Sequence, residues 1–216
     1  MVFRIDLKIF IFLIILYFTK QIEIYWFIML FTFLHELGHL LAGTILKMKA
    51  EKISIMPAGF SIEFSLSEND YNQKFLNSNI LEIKKLIVAV AGPAINFFII
   101  LVLLFLGKHG EIINNIIYSN LLILIFNLLP IYPLDGGRIV KSILCLIKTR
   151  KDSYIFTNKI SNMTLFLITF ISSILIYYYK NWAMLVVLTY LWYIVLKQNK
   201  IYKMKIKLYE TLEKLE

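Results

Sequence analysis

The sequence predicts an all-α polytopic membrane protein, with about six transmembrane helices and a small cytoplasmic β-hairpin. Three observations carry this. Of the 216 residues, 59% are hydrophobic and only 17% charged, where soluble domains hold about 45–50% and about 25%. Mean hydropathy is +0.73. Apolar runs at 9–19, 22–46, 86–106, 112–130, 163–179 and 182–196 leave no space for a large soluble domain. The basic residues are distributed unevenly. Of 23 Lys and Arg, 20 fall in the N-terminus, 47–85, 131–162 and the tail, while Lys20, Lys108 and Lys180 occupy the opposite turns. Positive charge collects at cytoplasmic ends because its translocation is costly, so both termini are expected in the cytoplasm. The net charge of +9 is then mostly topology, and nucleic acid is not an expected partner. A single Cys145 excludes an intramolecular disulfide framework.

In chain order, Met1 to Phe18 has a basic start and an apolar run with no small-residue cleavage site after it. That pattern reads as an uncleaved first span, which must recruit Phe3, Ile5 and Leu7 to be long enough. The second span covers 22–46. Ile53 and Ile55 precede Pro57-Ala58-Gly59, after which Phe60, Ile62, Phe64 and Leu66 alternate with Ser61, Glu63 and Ser65. Period-two alternation on both sides of a Pro/Gly turn predicts a hairpin. Arg138, Lys141 and Lys148 beside Ile139, Val140, Ile143, Leu144 and Ile147 suit a helix on the bilayer surface. Trp182, Trp192 and Tyr193 suit interfacial anchors of the sixth span. Ile201, Met204, Leu208, Leu212 and Leu215 recur at helical spacing. Residues 1–196 thus form an integral membrane domain with its core at about 22–150, and 197–216 a basic, helical cytoplasmic tail.

The chemistry concentrates in His35-Glu36-Leu37-Gly38-His39, inside the second span. Two histidines one helical turn apart share a face and can bind one metal ion. Glu36 is placed to act as general base. Ionisable groups within a span are costly and mark function; two packing histidines and a stray carboxylate is the weaker alternative. A catalytic zinc needs a third protein ligand, and Asp135 stands out in Asn127-Leu-Leu-Pro-Ile-Tyr-Pro-Leu-Asp135-Gly-Gly-Arg. The second and fourth spans both end on the cytoplasmic side, which brings His39 and Asp135 to the same half of the membrane. Pro130, Pro133, Gly136 and Gly137 break the helix there, as is tolerated where backbone lines a protein or water cavity.

HELGH in a span, Ala91-Gly92-Pro93-Ala94-Ile95-Asn96-Phe97 in the next, and Asn127-Leu-Leu-Pro followed by Pro-Leu-Asp135-Gly-Gly-Arg resemble the site-2 protease family of intramembrane zinc metalloproteases over about residues 22–150. The chain is most similar to the sporulation type, that of stage IV sporulation protein FB, which has no PDZ domain between the catalytic spans. The resemblance implies that His35, His39 and Asp135 ligate one zinc per chain and that Glu36 is the catalytic base. It also implies that Asn127 lies near the site and contacts substrate or oxyanion. The middle motif with Asn96 reads as structural, Gly92 and Pro93 permitting close packing and a kink.

The implied function is hydrolysis of a peptide bond in or near a membrane-associated segment of a precursor protein, in the sporulation case a sigma-factor precursor. A substrate helix must unwind to expose its scissile bond, and strand addition to Phe60, Ile62 and Phe64 of the hairpin is the expected way to hold it. Partners are then a membrane-associated or transmembrane substrate, membrane-protein regulators and the lipid bilayer. The location is a bacterial cell membrane, or the forespore membrane for the sporulation type. Three alternatives compete: a membrane metal-ion transporter, a zincin acting on prenylated proteins, and a catalytically inactive scaffold. A single His cluster with a base beside it disfavours the first, Asp135 in its Pro/Gly frame the second, and the intact Glu36 the third. His109 reads as a solvated turn residue and Cys145 as an apolar filler.

Overall fold

The computed structural model describes residues 2–5, 22–56, 59–65, 78–107, 110–180 and 183–213. The body of the expected first span, the hairpin's Pro57-Ala58 turn, Leu66, His109 and Trp182 lie outside the described residues. The described elements are β1 (Val2–Ile5), α1 (Ile22–Ile45), β2 (Lys49–Met56), β3 (Gly59–Ser65), α2 (Ser78–Phe105), α3 (Glu111–Leu128), α4 (Asp135–Ile147), α5 (Arg150–Tyr179) and α6 (Ala183–Glu213). They fall into two compact units, Met1–Asn127 and Leu128–Glu216.

In the first unit α1 packs on α2 and on the sheet. α1 stops because the chain turns left-handed at Lys47, with φ 57°. There the Lys47 N–H donates to the Thr44 carbonyl at 3.0 Å and the Met48 N–H to the Gly43 carbonyl at 2.8 Å. This pair of bonds satisfies carbonyls that a helix end otherwise orphans. Buried Met48 then leads directly into β2.

The sheet has the order β1-β2-β3. β2 and β3 pair antiparallel, with Ile53 opposite Ile62 and Ile55 opposite Phe60, and the register shifts between Ala50 and Lys52. β1 pairs parallel to β2, Phe3 opposite Ile53 and Ile5 opposite Ile55. This corrects the N-terminal reading: Phe3 and Ile5 do not extend a first span but lie in a strand. Val-Phe-Arg-Ile combines β-branched and aromatic residues around a charge, which suits a strand better than the bilayer interior. A parallel pair also needs a long crossover, and more than forty residues separate the two strands.

Four described helices are long and apolar enough to cross a membrane: Trp26–Ile45, Asn79–Phe105, Glu111–Leu128 and Arg150–Tyr178. Their outward faces carry large apolar side chains such as Phe97, Phe98, Phe105, Leu122, Phe166 and Phe170, as a lipid-facing surface would.

The second unit packs α4 on α5 and α5 on α6 around Leu165, Leu188, Leu191, Val195 and Tyr202. Much of the stretch read as the 131–162 loop is helical. α5 starts at Arg150 because Thr149 caps it, its Oγ1 accepting from the Asp152 N–H at 3.1 Å and donating to Asp152 Oδ2 at 2.8 Å. The charges of that first turn hide the helix from an apolar-run search. α6 continues unbroken from the apolar 183–196 stretch into the tail. Across α5 and α6 the Trp192 indole N–H donates to Thr169 Oγ1 at 3.1 Å. The Tyr202 ring meets Tyr132 and Tyr154 with centroids 5.5 and 5.2 Å apart, and burial pushes its phenol above the usual range.

Candidate metal centre

His35 and His39 stand on the face of α1 turned toward α2, and both are buried. The stretch Val88, Gly92, Asn96 of α2 repeats every four residues and meets that face. His39 Nδ1 is 2.7 Å from the Val88 carbonyl. A carbonyl only accepts, so this nitrogen carries the proton, and in the neutral ring Nε2 is the lone-pair nitrogen. His35 Nδ1 is 2.6 Å from Asn96 Oδ1. The amide's orientation follows from a chain that ends on an unambiguous acceptor. Asn120 Nδ2 donates to the Ile116 carbonyl at 2.9 Å, so Asn120 Oδ1 faces Asn96 and accepts from Asn96 Nδ2 at 2.9 Å. Asn96 therefore offers only its oxygen to His35, and His35 Nδ1 must donate. Both imidazoles hold the tautomer that presents Nε2.

Those two Nε2 atoms are 3.1 Å apart, with the rings at 86°. Two neutral lone-pair nitrogens repel at that distance unless a cation serves both. On a tetrahedral zinc with Zn–N of about 2.0–2.1 Å, two ligand nitrogens stand about 3.3 Å apart. The space beside them is kept open by Gly92: a Cβ there would overlap His39 Nε2 and lie 2.7 Å from His35 Nε2. Donor chemistry, spacing and cradle all fit a zinc ion. Glu36 follows His35 on the same helix and is half-buried, while Asn127 is half-buried in the last turn of α3.

Asp135 belongs to the second unit, where it is buried and opens α4. Leu134 provides no side-chain cap, so the carboxylate itself sits against the helix's positive end, where an anion is favoured. Arg138 Nη1 lies 3.8 Å from Asp135 Oδ1. The preceding loop is held from α5: the Tyr132 N–H donates to Ser161 Oγ at 3.0 Å, and Ser161 Oγ donates to the Pro130 carbonyl at 3.5 Å. The paired glycines let α4 begin directly on this loop, since a Cβ at Gly136 would overlap the Leu128 carbonyl and one at Gly137 the Tyr132 nitrogen.

The parts played by two residues behind the histidines escape the sequence reading. Asn96 is not merely packing, because it orients His35; Asn120, which no motif marks, orients Asn96. A signal existed in that both are amides within long, largely apolar spans. Of the hairpin residues, Phe64 is placed against α1.

The profile of Peptidase family M50 matches residues 24–111 and 108–172. The chain belongs to Peptidase family M50, the site-2 protease family. It is 32% identical over 151 residues to a zinc metalloprotease of Methanocaldococcus jannaschii, a match covering 64% of this chain and 40% of the relative. With stage IV sporulation protein FB of Bacillus subtilis it shares 26% identity over 117 residues, 52% of this chain and 37% of that protein. The matched regions thus span less than half the length of these relatives. The solved site-2 protease of Methanocaldococcus jannaschii superposes with TM-score 0.61 at 19% identity, over 91% of this chain and 89% of that one, which establishes a shared fold. Its M50 membership and its long apolar helices make the chain an integral membrane protein.

Proposed function

We propose that this M50 chain is an intramembrane zinc metalloendopeptidase that hydrolyses a peptide bond in or near a membrane-associated segment of a precursor protein. The observation that carries the reading is the convergent Nε2 pair, 3.1 Å apart, with a carboxylate in the next position of the helix. In this reading His35, His39 and Asp135 hold one zinc. Asp135 supports it by being a buried carboxylate in the family's Leu-Asp-Gly setting. When bound, zinc supplies Lewis acidity, polarising the scissile carbonyl and acidifying water.

Glu36 takes the proton from the attacking water and passes it to the leaving nitrogen, so the C–N bond breaks with a neutral amine departing. Asn127 donates to the substrate carbonyl as negative charge develops there. The unwound substrate adds as a strand to β3, beside Phe60, Ile62 and Phe64. In this reading both termini lie in the cytoplasm, because Lys and Arg gather on one side of the six apolar runs. The sporulation relative makes a sigma-factor precursor at a bacterial cell or forespore membrane the first substrate to try, under the control of membrane-protein regulators.

The test is zinc per chain in detergent-purified protein. About one zinc is expected in wild type and much less in His35→Ala and Asp135→Ala. Zinc retained by Asp135→Ala removes Asp135 from the ligand set. Glu36→Gln should keep its zinc and fail to cleave a single-span reporter peptide whose helix is interrupted by Asn-Gly; cleavage by that variant overturns the mechanism. Ile62→Pro should keep zinc and lose cleavage, and normal cleavage would end the strand-addition reading.

A further inference from the structure

β3 and the metal-bearing helix meet at a point that the catalytic reading leaves unused. Gly43 lies eight residues after His35 and four after His39, so the three positions stack on one face of α1. Gly43 stands about 6 Å along the axis from His39. A Cβ at Gly43 would overlap Phe64 Cε1 and lie 2.6 Å from Cζ and 3.1 Å from Cδ1. The Phe64 ring therefore occupies the volume that any other side chain at position 43 would need. The Gly43 carbonyl also accepts the Met48 N–H that closes α1, which places this seat at the helix end from which β2 departs. On the sheet side, Phe64 pairs with Ala50, at the point where the β2–β3 register shifts. β3 is the outer strand of the order β1-β2-β3, so its second edge faces no other strand among the described residues.

We propose that the Phe64 ring in the Gly43 notch is a register gauge. It fixes how far along α1 strand β3 stands, and hence which bond of a segment paired with β3 is presented to Glu36. The inference rests on the strand-addition reading above. Phe64 and Gly43 are positioning residues and touch no reacting atom. Their effect is geometric. The Phe64 ring is a described contact between strand and helix, and in this proposal displacing it slides the strand relative to the site one helical turn away.

Disulfide cross-linking reads the register without turnover. In a Glu36→Gln, Cys145→Ala background, Glu63→Cys is paired with single cysteines walked along the Asn-Gly single-span reporter. The original seat should give one maximum. Adding Gly43→Ala should move that maximum by about two residues, one β repeat. In the active enzyme Gly43→Ala should keep its zinc and either cut at a bond displaced by the same amount or lose about 100-fold in rate. Gly43→Ala with Phe64→Leu, which returns the missing volume, should restore both maximum and bond. Phe64→Leu alone, a variant that leaves α1 untouched, should spread cross-linking over several reporter positions.

An unchanged maximum and bond in Gly43→Ala overturns the gauge. So does loss of zinc in that variant, or failure of the double variant to restore register. Absence of cross-linking at every reporter position, in every background, overturns strand addition itself, which separates the two failures.

Discussion

Buried polar side chains occur in both units, and the amides beside the histidines are satisfied differently from the hydroxyls of α5. In the first unit Asn96 and Asn120 are fully buried and bond across helices, α3 to α2 to α1, ending on His35 Nδ1. In the second, Ser153 and Thr157 are as deeply buried, yet each donates to the carbonyl four residues back on its own helix. A hydroxyl that closes on its own backbone needs no partner and commits none. An amide chain that crosses three helices fixes both the orientation of its members and the tautomer of the group at its end. In a membrane protein, burial of polarity alone is therefore a weak sign of function; the direction of the bonds decides. Ser161 marks the boundary, since it lies on the same helix as the bland row but holds the loop before Asp135.

Gly92 gives the largest break in the first network. Gly92→Ala puts a methyl group onto both Nε2 atoms, and the helices cannot part without losing the bonds from His35 and His39 to α2. We expect loss of the stoichiometric zinc in purified, folded protein. Full zinc in that variant would mean that the ion does not sit between these nitrogens.

The amides come next. Asn96→Leu removes the acceptor that holds His35, and zinc affinity should fall about 10–100-fold, the usual cost of losing a ligand's hydrogen-bond partner. Asn120→Leu acts one bond further away and should cost less, about 10-fold. Because it works only by letting the Asn96 amide turn, Asn120→Leu should add little once Asn96→Leu is present. Competition against a chelator of known affinity measures all three. Additive losses in the double variant would show two separate structural roles instead of one chain.

The two units were not equally legible in sequence. His35, Glu36 and His39 were, because ligation on a helix demands a fixed spacing that chance seldom supplies. Asp135 stood out only in the company of HELGH, since Pro-Leu-Asp-Gly-Gly alone reads as an interfacial turn. Asn96 and Asn120 were not: a hydrogen bond between helices is a long-range pairing that leaves no periodicity in either strand of text. β1 was missed because four residues cannot announce a parallel partner some fifty positions away. α5's true start was missed because its first turn is charged, although Thr149 and Asp152 have the spacing of a cap. The hairpin's alternation was visible, whereas the seat of Phe64 on Gly43 joins two segments that sequence treats as unrelated.

The smallest expected effect separates Ser161 from its neighbours on α5. Ser161→Ala leaves the part-buried Tyr132 N–H without its acceptor and loosens the loop before Asp135, at a cost of about 1 kcal/mol. Ser153→Ala removes only a bond to its own helix, leaves the Thr149 carbonyl within the helix ladder, and should change stability by about 0.5 kcal/mol or less. Thermal unfolding in detergent compares the two, and zinc affinity tells stability from site geometry. If Asp135 depends on its loop, Ser161→Ala weakens zinc while Ser153→Ala does not. Equal losses of zinc in both would reduce Ser161 to one more packing hydroxyl.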